Sequence, residues 1–312
     1  MLLPGETMAT PFAGQSTEAR AIGQLFTETL VISAAILALV TGLVAYCVVK
    51  FRARDGAEPA QTHGHTGLEI AWTIVPFLIV VALFVLTART MGATDPPVDR
   101  AADLTVTAHQ WWWEVRYPSG AVTANEIHMP AGERVLVELQ SADVVHDFWV
   151  PALARKIDAT PGRPVHFWIS ADRAGNYFGA CAEFCGAQHA WMRIRVVAQT
   201  RADFDAWQRR QLLPAAPVGD APAVRGLRLF NELTCVRCHA IAGVTPDVRV
   251  GPDLTHLAER STLAAGLLEN TPANLAAWLA DPQALKPGSH MPSLRLTGGQ
   301  VSDLVAYFET LK

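Results

Sequence analysis

Two uncharged runs dominate the hydrophobic pattern of the first third of the chain, Leu30 to Val49 and Ile70 to Ala88. At 1.5 Å rise per residue each reaches about 30 Å, the thickness of a bilayer's hydrocarbon core. This predicts two membrane-crossing helices rather than buried core helices. Lys50, Arg52 and Arg54 follow the first run directly, whereas Arg20 is the only cation near its other end. The positive-inside rule then places the connecting loop in the cytoplasm and both termini outside. Thr66-Gly-Leu-Glu69 opens the second run in the form of a capping box, with Thr66 as N-cap and Glu69 at N3.

Past residue 92 the period changes. Leu104 to Ala108 alternates, as do Val135, Val137 and Leu139, and then Val165, Phe167 and Ile169, with Pro and Gly between segments. Short strands at this spacing predict an antiparallel sandwich or barrel of about 100 residues. Residues 201–222 change again: Phe204 and Trp207 sit on a short charged helix suited to packing on the β domain, and a Pro-rich, semi-rigid linker follows. Beyond it Val224, Leu227 and Phe230 suit one helix face, and Val301, Leu304, Val305 and Phe308 another. This last region reads as a small all-α domain, whose core needs a staple.

Composition supports the membrane assignment: 50% of residues are apolar and 17% charged, against about 25% charged in soluble domains. The net charge of -4 and the lack of a basic stripe argue against a nucleic-acid partner. Residues 1–20 lack the charged and apolar regions of a signal peptide.

Cysteines bring in the chemistry. Cys47 lies in an apolar run and reads as an inert buried thiol. Cys181 with Cys185, and Cys235 with Cys238, could be disulfides in an exported domain. A histidine after each pair favours metal or haem instead. Cys181, Cys185, His189 and Met192 form C-x3-C-x3-H-x2-M, a soft and borderline ligand set that suits copper and poorly suits calcium or magnesium. A cupredoxin-like site needs one more histidine from an earlier strand, and His146 in Val-Val-His-Asp-Phe-Trp is the candidate. Two thiolates rather than one depart from a mononuclear blue-copper site and can bridge two copper ions.

Cys235-Val-Arg-Cys238-His239 is the attachment motif of a c-type haem, with thioether links from both cysteines and His239 as iron ligand. A redox C-x2-C or half a zinc site are the alternatives, and the domain has neither a second cysteine pair nor a βαβ pattern for them. Lys286-Pro-Gly-Ser-His290-Met291-Pro292 offers the sixth ligand, for which Met291 is preferred. His256 and His290 read as exposed or structural.

With these motifs in place, residues 22–200 resemble subunit II of cytochrome c oxidase, and residues 223–312 resemble a class I cytochrome c fused to it, a caa-type arrangement. Leu68-Glu-Ile-Ala-Trp-Thr-Ile-Val-Pro76, His109-Gln-Trp-Trp-Trp113, Lys156-Ile-Asp-Ala-Thr-Pro-Gly162 and the 181–192 cluster carry the likeness. Trp111-Trp-Trp113 departs from the commoner Trp-Tyr-Trp. The resemblance implies a multidomain membrane-anchored fold: an external tail (1–21), transmembrane helices (22–50 and 68–92) around a cytoplasmic loop (51–67), an all-β cupredoxin-like Greek-key copper A domain (93–200), a linker (201–222) and an all-α cytochrome c domain (223–312).

It further implies a dinuclear copper A bridged by Cys181 and Cys185, with His146, His189, Met192 and the Glu183 carbonyl as terminal ligands, and the Glu183 carboxylate facing magnesium. It implies that electrons enter at Trp111 and that Glu69 opens a proton-uptake channel. The expected function is electron input to a proton-pumping haem-copper oxidase in a bacterial plasma membrane, with copper and haem on the outer face. Expected partners are subunit I, subunit III, membrane lipid and a donor cytochrome c or bc-type complex. A copper A subunit of a nitric oxide reductase and a free membrane-anchored electron shuttle are the competing readings.

Overall fold

The computed structural model describes residues 12–52, 63–95, 98–248 and 250–312. The connecting loop with Arg54, and most of the N-terminal tail, lie outside the described residues. The chain divides into two compact units, one of residues 20–96 and one of residues 1–19 with 97–312.

The first unit holds the greater part of helix α1 (Thr17–Lys50) and all of α2 (Thr66–Thr94). Both are long and apolar enough to cross a membrane, and their apolar windows are unburied by protein. A water-exposed surface of this kind is unstable, and lipid removes the penalty. Each helix runs beyond its uncharged stretch, because helical hydrogen bonding continues through the polar flanks. Two details correct the sequence reading. The N-cap of α2 is His65, whose Nδ1 accepts from the Leu68 N–H at 3.3 Å, so Thr66 is the first helical residue and the capping box is absent. Cys47 is exposed on α1 rather than buried in a protein core.

The second unit begins with a short segment knitted into the β domain. The Gln15 N–H donates to the Ala152 carbonyl, and Ser16 Oγ donates to the Leu153 carbonyl while accepting from the Ala19 N–H. Glu18, 2% exposed, pairs with Arg134 at 2.6 Å and accepts from Ser170 Oγ at 2.7 Å. A buried carboxylate needs such partners, and the arrangement ties the start of α1 to the sandwich.

Ten strands follow: β1 (Leu104–His109), β2 (Trp112–Arg116), β3 (Val122–Ala124), β4 (Glu126–Pro130), β5 (Arg134–Ser141), β6 (His146–Trp149), β7 (Ile157–Ala159), β8 (Val165–Ser170), β9 (Gly175–Cys181) and β10 (Arg193–Gln199). They form two five-stranded sheets, ordered β3-β2-β1-β5-β8 and β4-β10-β9-β6-β7. Alternation in β1 and β10 puts one face of each inside. Trp113, Phe148, Phe167, Ile127 and Met129 fill the space between the sheets. The sandwich is mixed rather than purely antiparallel, since β1 pairs with β5, and β4 with β10, in parallel. Crossing connections in a Greek key produce this, and periodicity carries no sign of strand direction. Helix α3 (Arg201–Gln211) caps the sandwich, with the Trp207 ring stacked on His128 at 4.0 Å.

Residues 212–220 lead to the small C-terminal domain, made of α4 (Ala221–Glu232), a two-residue ladder β11 (Thr262–Leu263) and β12 (Leu268–Glu269), α5 (Pro272–Ala280), α6 (Pro282–Leu285) and α7 (Gly298–Phe308). Val301, Leu304, Val305 and Phe308 of α7 are all buried, as their spacing predicts. On α4 the buried face is Ala223, Gly226 and Phe230, and Val224 points out at 46% exposed. Gly226 causes this rotation: a Cβ there would stand 2.0 Å from the Asp303 carbonyl oxygen, so only glycine permits α4 to cross α7 so closely. Arg225 clamps the same crossing with two hydrogen bonds to Asp303 at 2.7 and 2.9 Å.

The helical domain is seated directly on the sandwich. The Ser261 amide and hydroxyl donate to buried Glu126, Arg195 reaches Ser261 Oγ at 2.5 Å, and the Arg193 N–H donates to the Ala265 carbonyl at 3.2 Å. Arg116 pairs with Asp247 at 3.3 Å.

Candidate metal centre and haem cavity

The β6–β9 ladder assembles the first site. It sets Phe148 opposite Cys181, and the Ala182 N–H extends it by donating to the Asp147 carbonyl. His146 thereby meets Cys181 across 35 positions of sequence, with Nδ1 3.9 Å from the sulfur. The loop from β9 to β10 then turns back through a 3-10 helix over His189–Trp191. It places the two sulfurs 3.8 Å apart, His189 Nδ1 3.6 Å from Cys185 Sγ, and Met192 Sδ 3.8 Å from Cys185 Sγ. The Glu183 carbonyl faces the same point, 3.2 Å from Cys181 Sγ. All six residues expected from the sequence are together, and the ligand atoms of His146, Cys181 and Cys185 lie within 4.8 Å of one another.

Electrostatics fit this donor set to cations. A hydrogen bond from the neighbouring Cys185 thiol holds Cys181 well below the ordinary thiol range, and sharing that proton pushes Cys185 up. Two facing sulfurs that cannot both ionise alone are stabilised as thiolates by bound metal. His146 Nε2 lies 2.8 Å from Asp143, leaving Nδ1 toward the sulfurs, the carboxylate–histidine arrangement that orients a metal ligand. Burial would raise the Asp143 carboxyl, but bonds from His146, Val144 and Gln110 hold it below the ordinary range. Sequence reasoning missed Asp143, although an acidic residue three before the ligand was its available signal. The Glu183 side chain is exposed and so is Phe184, at 77%.

The second site is a cavity of about 460 Å³ in the C-terminal domain. Cys235 and Cys238 line it from a 3-10 turn, with His239 behind them and Met291 in the cavity wall. His239 is half-buried, and its Nδ1 lies 2.7 Å from the Pro252 carbonyl, which leaves the Nε2 lone pair free to ligate. Burial lowers its pKa and keeps the ring neutral, as an iron ligand must be. Gly251 makes room for it, since a Cβ there would lie 2.7 Å from His239 Cε1. Leu254, Leu257, Leu275 and Leu279 make the rest of the lining largely apolar. Arg260 also reaches this cavity; it is buried, and its Nε has no partner among the described residues. A buried cation with an unused donor fits an anionic edge on the occupant. His290 is exposed, whereas His256 is buried with neither ring nitrogen hydrogen-bonded.

Trp111 stands between the two sites. Its Nε1 donates to the Cys185 carbonyl at 3.0 Å, its ring lies 5.1 Å from that of His290, and it lines the cavity. Gln110 donates to the same carbonyl at 2.7 Å. Glu69 is exposed in the first turn of α2, within the other unit.

Three families match the chain in order. Residues 9–88 match the transmembrane domain of cytochrome c oxidase subunit II, residues 121–199 its periplasmic domain, and residues 223–312 cytochrome c. Cytochrome c oxidase subunit 2 of Alkalihalophilus pseudofirmus is 36% identical, covering 99% of this chain and 92% of that protein. Its counterpart in Bacillus sp. strain PS3 is 34% identical over 84% of this chain and 80% of its own length. The periplasmic domain of subunit II of the Bradyrhizobium japonicum cytochrome oxidase is a similar solved structure, 32% identical, covering 36% of this chain and 96% of its own, with a TM-score of 0.34. The order of the matched domains follows the order of the two helices, the sulfur-rich loop and the C-x2-C-H cavity. The chain therefore belongs to the cytochrome c oxidase subunit II family, as a membrane-anchored, two-pass member with a cytochrome c domain at its C-terminal end.

Proposed function

We propose that the chain is the electron-input subunit of a haem-copper terminal oxidase. It accepts electrons from a donor cytochrome c or bc-type complex and delivers them to subunit I, where oxygen is reduced to water coupled to proton pumping. The observation that carries this reading is the juxtaposition of the 181–192 cluster and the haem-type cavity on either side of Trp111.

When bound, a copper pair and a haem iron supply reversible one-electron chemistry. Cys181, Cys185, His146, His189, Met192 and the Glu183 carbonyl would hold the metals. Asp143 fixes the His146 ring so that Nδ1 faces the sulfurs. Cys235 and Cys238 would carry the haem covalently, His239 and Met291 would hold its iron, and Arg260 would pair with its anionic edge. Trp111 bonds the carbonyl of a copper ligand and lines the haem cavity, so it is the residue through which the two sites communicate. The Glu183 carboxylate, exposed beside the copper loop, is suited to magnesium at the boundary with subunit I. Glu69, in the first turn of a membrane helix, is suited to proton uptake on the cytoplasmic side. The chain would sit in a bacterial plasma membrane with both redox domains on the outer face, against lipid, subunit I and subunit III.

The test uses the purified complex, reduced through its donor and offered oxygen or nitric oxide. Turnover with oxygen to water is the expected result. Turnover with nitric oxide alone would assign the module to a nitric oxide reductase, and a stable chain with no large membrane partner would make it a free shuttle.

A further inference from the structure

Domains joined within one chain ordinarily move relative to each other unless their interface holds them. Here the segment leading to Met291 contains Lys286, 4% exposed although it carries an ammonium group. Its Nζ donates to three backbone carbonyls: Trp111 at 3.3 Å, Trp191 at 3.0 Å and Ala264 at 3.0 Å. Two belong to the sandwich, one beside the Cys185 carbonyl contact and one in the loop between His189 and Met192. The third belongs to the helical domain, as does Lys286 itself. No carboxylate forms an ion pair with Lys286 among the described residues.

An ammonium has three N–H donors in a compact group. Three carbonyls from three chain segments match that number, so all three donors are used only when both domains are in place. We propose that Lys286 is a positioning residue that locks the cytochrome domain in register against the copper-type loop and Trp111. The inference rests on the relay reading above. Neighbouring contacts act in the same direction: Gln188 donates to the Pro287 carbonyl, and the His290 ring meets Trp111. Burial, followed by the charge of nearby Arg193, pulls the Lys286 ammonium down to about 7. A methionine of similar length would remove every one of these bonds and leave three half-buried carbonyls without the donor.

The experiment compares the wild-type oxidase complex with Lys286→Met. Amide exchange at Arg193 and Ser261, whose N–H groups bond across the interface, reports docking independently of turnover. In Lys286→Met their protection should fall by at least about tenfold, and haem-to-copper transfer should slow and become dependent on solvent viscosity. Exchange and transfer identical to wild type would overturn the proposal. Should the variant fail to accumulate, amine labelling of the wild-type complex still decides: Lys286 should resist a reagent that modifies exposed Lys312, and equal labelling would overturn it. Haem and copper spectra of the same wild-type sample separate the two failures, because their absence refutes the relay while unchanged exchange refutes the lock.

Discussion

Asp143 illustrates how a residue outside the ligand set governs a ligand. Its carboxylate accepts from His146 Nε2 and from the Gln110 and Val144 amides, so the imidazole has one orientation. Partners of this kind are worth about 10–100-fold in metal affinity. Asp143→Asn should weaken copper retention by that order in competition with a chelator, and unaltered retention would contradict the orienting role. At the other site, Gly251→Ala would place a methyl group against the His239 ring, which is pinned by the Pro252 carbonyl. The low-spin haem band should be lost or converted to high spin, and an unchanged band would contradict the contact. The ligands themselves were legible in the sequence, because Cys181 to Met192 and Cys235 to His239 are local spacings and His146 follows from a missing donor. Gly251, Arg260 and Lys286 were not, because their roles exist only once distant segments meet, whereas Asp143 had a local signal three residues before His146.

At the scale of elements, the sequence reveals the membrane helices and the strand-rich region through their periods, but not which strands run parallel. Pairing of β1 with β5 and of β4 with β10 depends on connections, which no single segment encodes. The start of α2 departs from the sequence expectation because a histidine outcompetes the threonine–glutamate pattern for the cap. On α4 Phe230 and Leu227 do face the core, and Val224 does not, because Gly226, with no side chain, is the point of closest approach. The contact between β4 and the residue preceding β11 has a pH signature. Burial raises the Glu126 pKa, but bonds from His128 and Ser261 outweigh it and leave the group below its ordinary 4.5. A depressed carboxylate contributes stability that is present above the unfolded value and is lost as pH falls through the folded one. The melting temperature of wild type should therefore exceed that of Glu126→Gln at neutral pH, with the gap closing below about pH 4.5. A gap independent of pH would contradict this assignment.

Considered whole, the chain carries two lipid-suited helices and sets two redox-type sites against each other in one compact unit. The Ser16–Glu18 segment ties the start of α1 to the sandwich, and Lys286 and Ser261 tie the cytochrome domain to it. Trp111 is bonded to one site and lines the other, and on the proposed function this contact would make the arrangement a relay rather than two separate cofactors on one tether. The pairing of the C-terminal domain with the copper-type domain was legible from motif order alone. Their seating was not, because Glu126, Arg195 and Lys286 look like ordinary surface charges in sequence. The most direct test of the relay is combined optical and electron-spin spectroscopy of the purified complex containing the full chain. The account predicts one low-spin c-type haem together with a mixed-valence signal from two coppers sharing one electron. A single-copper signal, or no copper beside an intact haem, would contradict it.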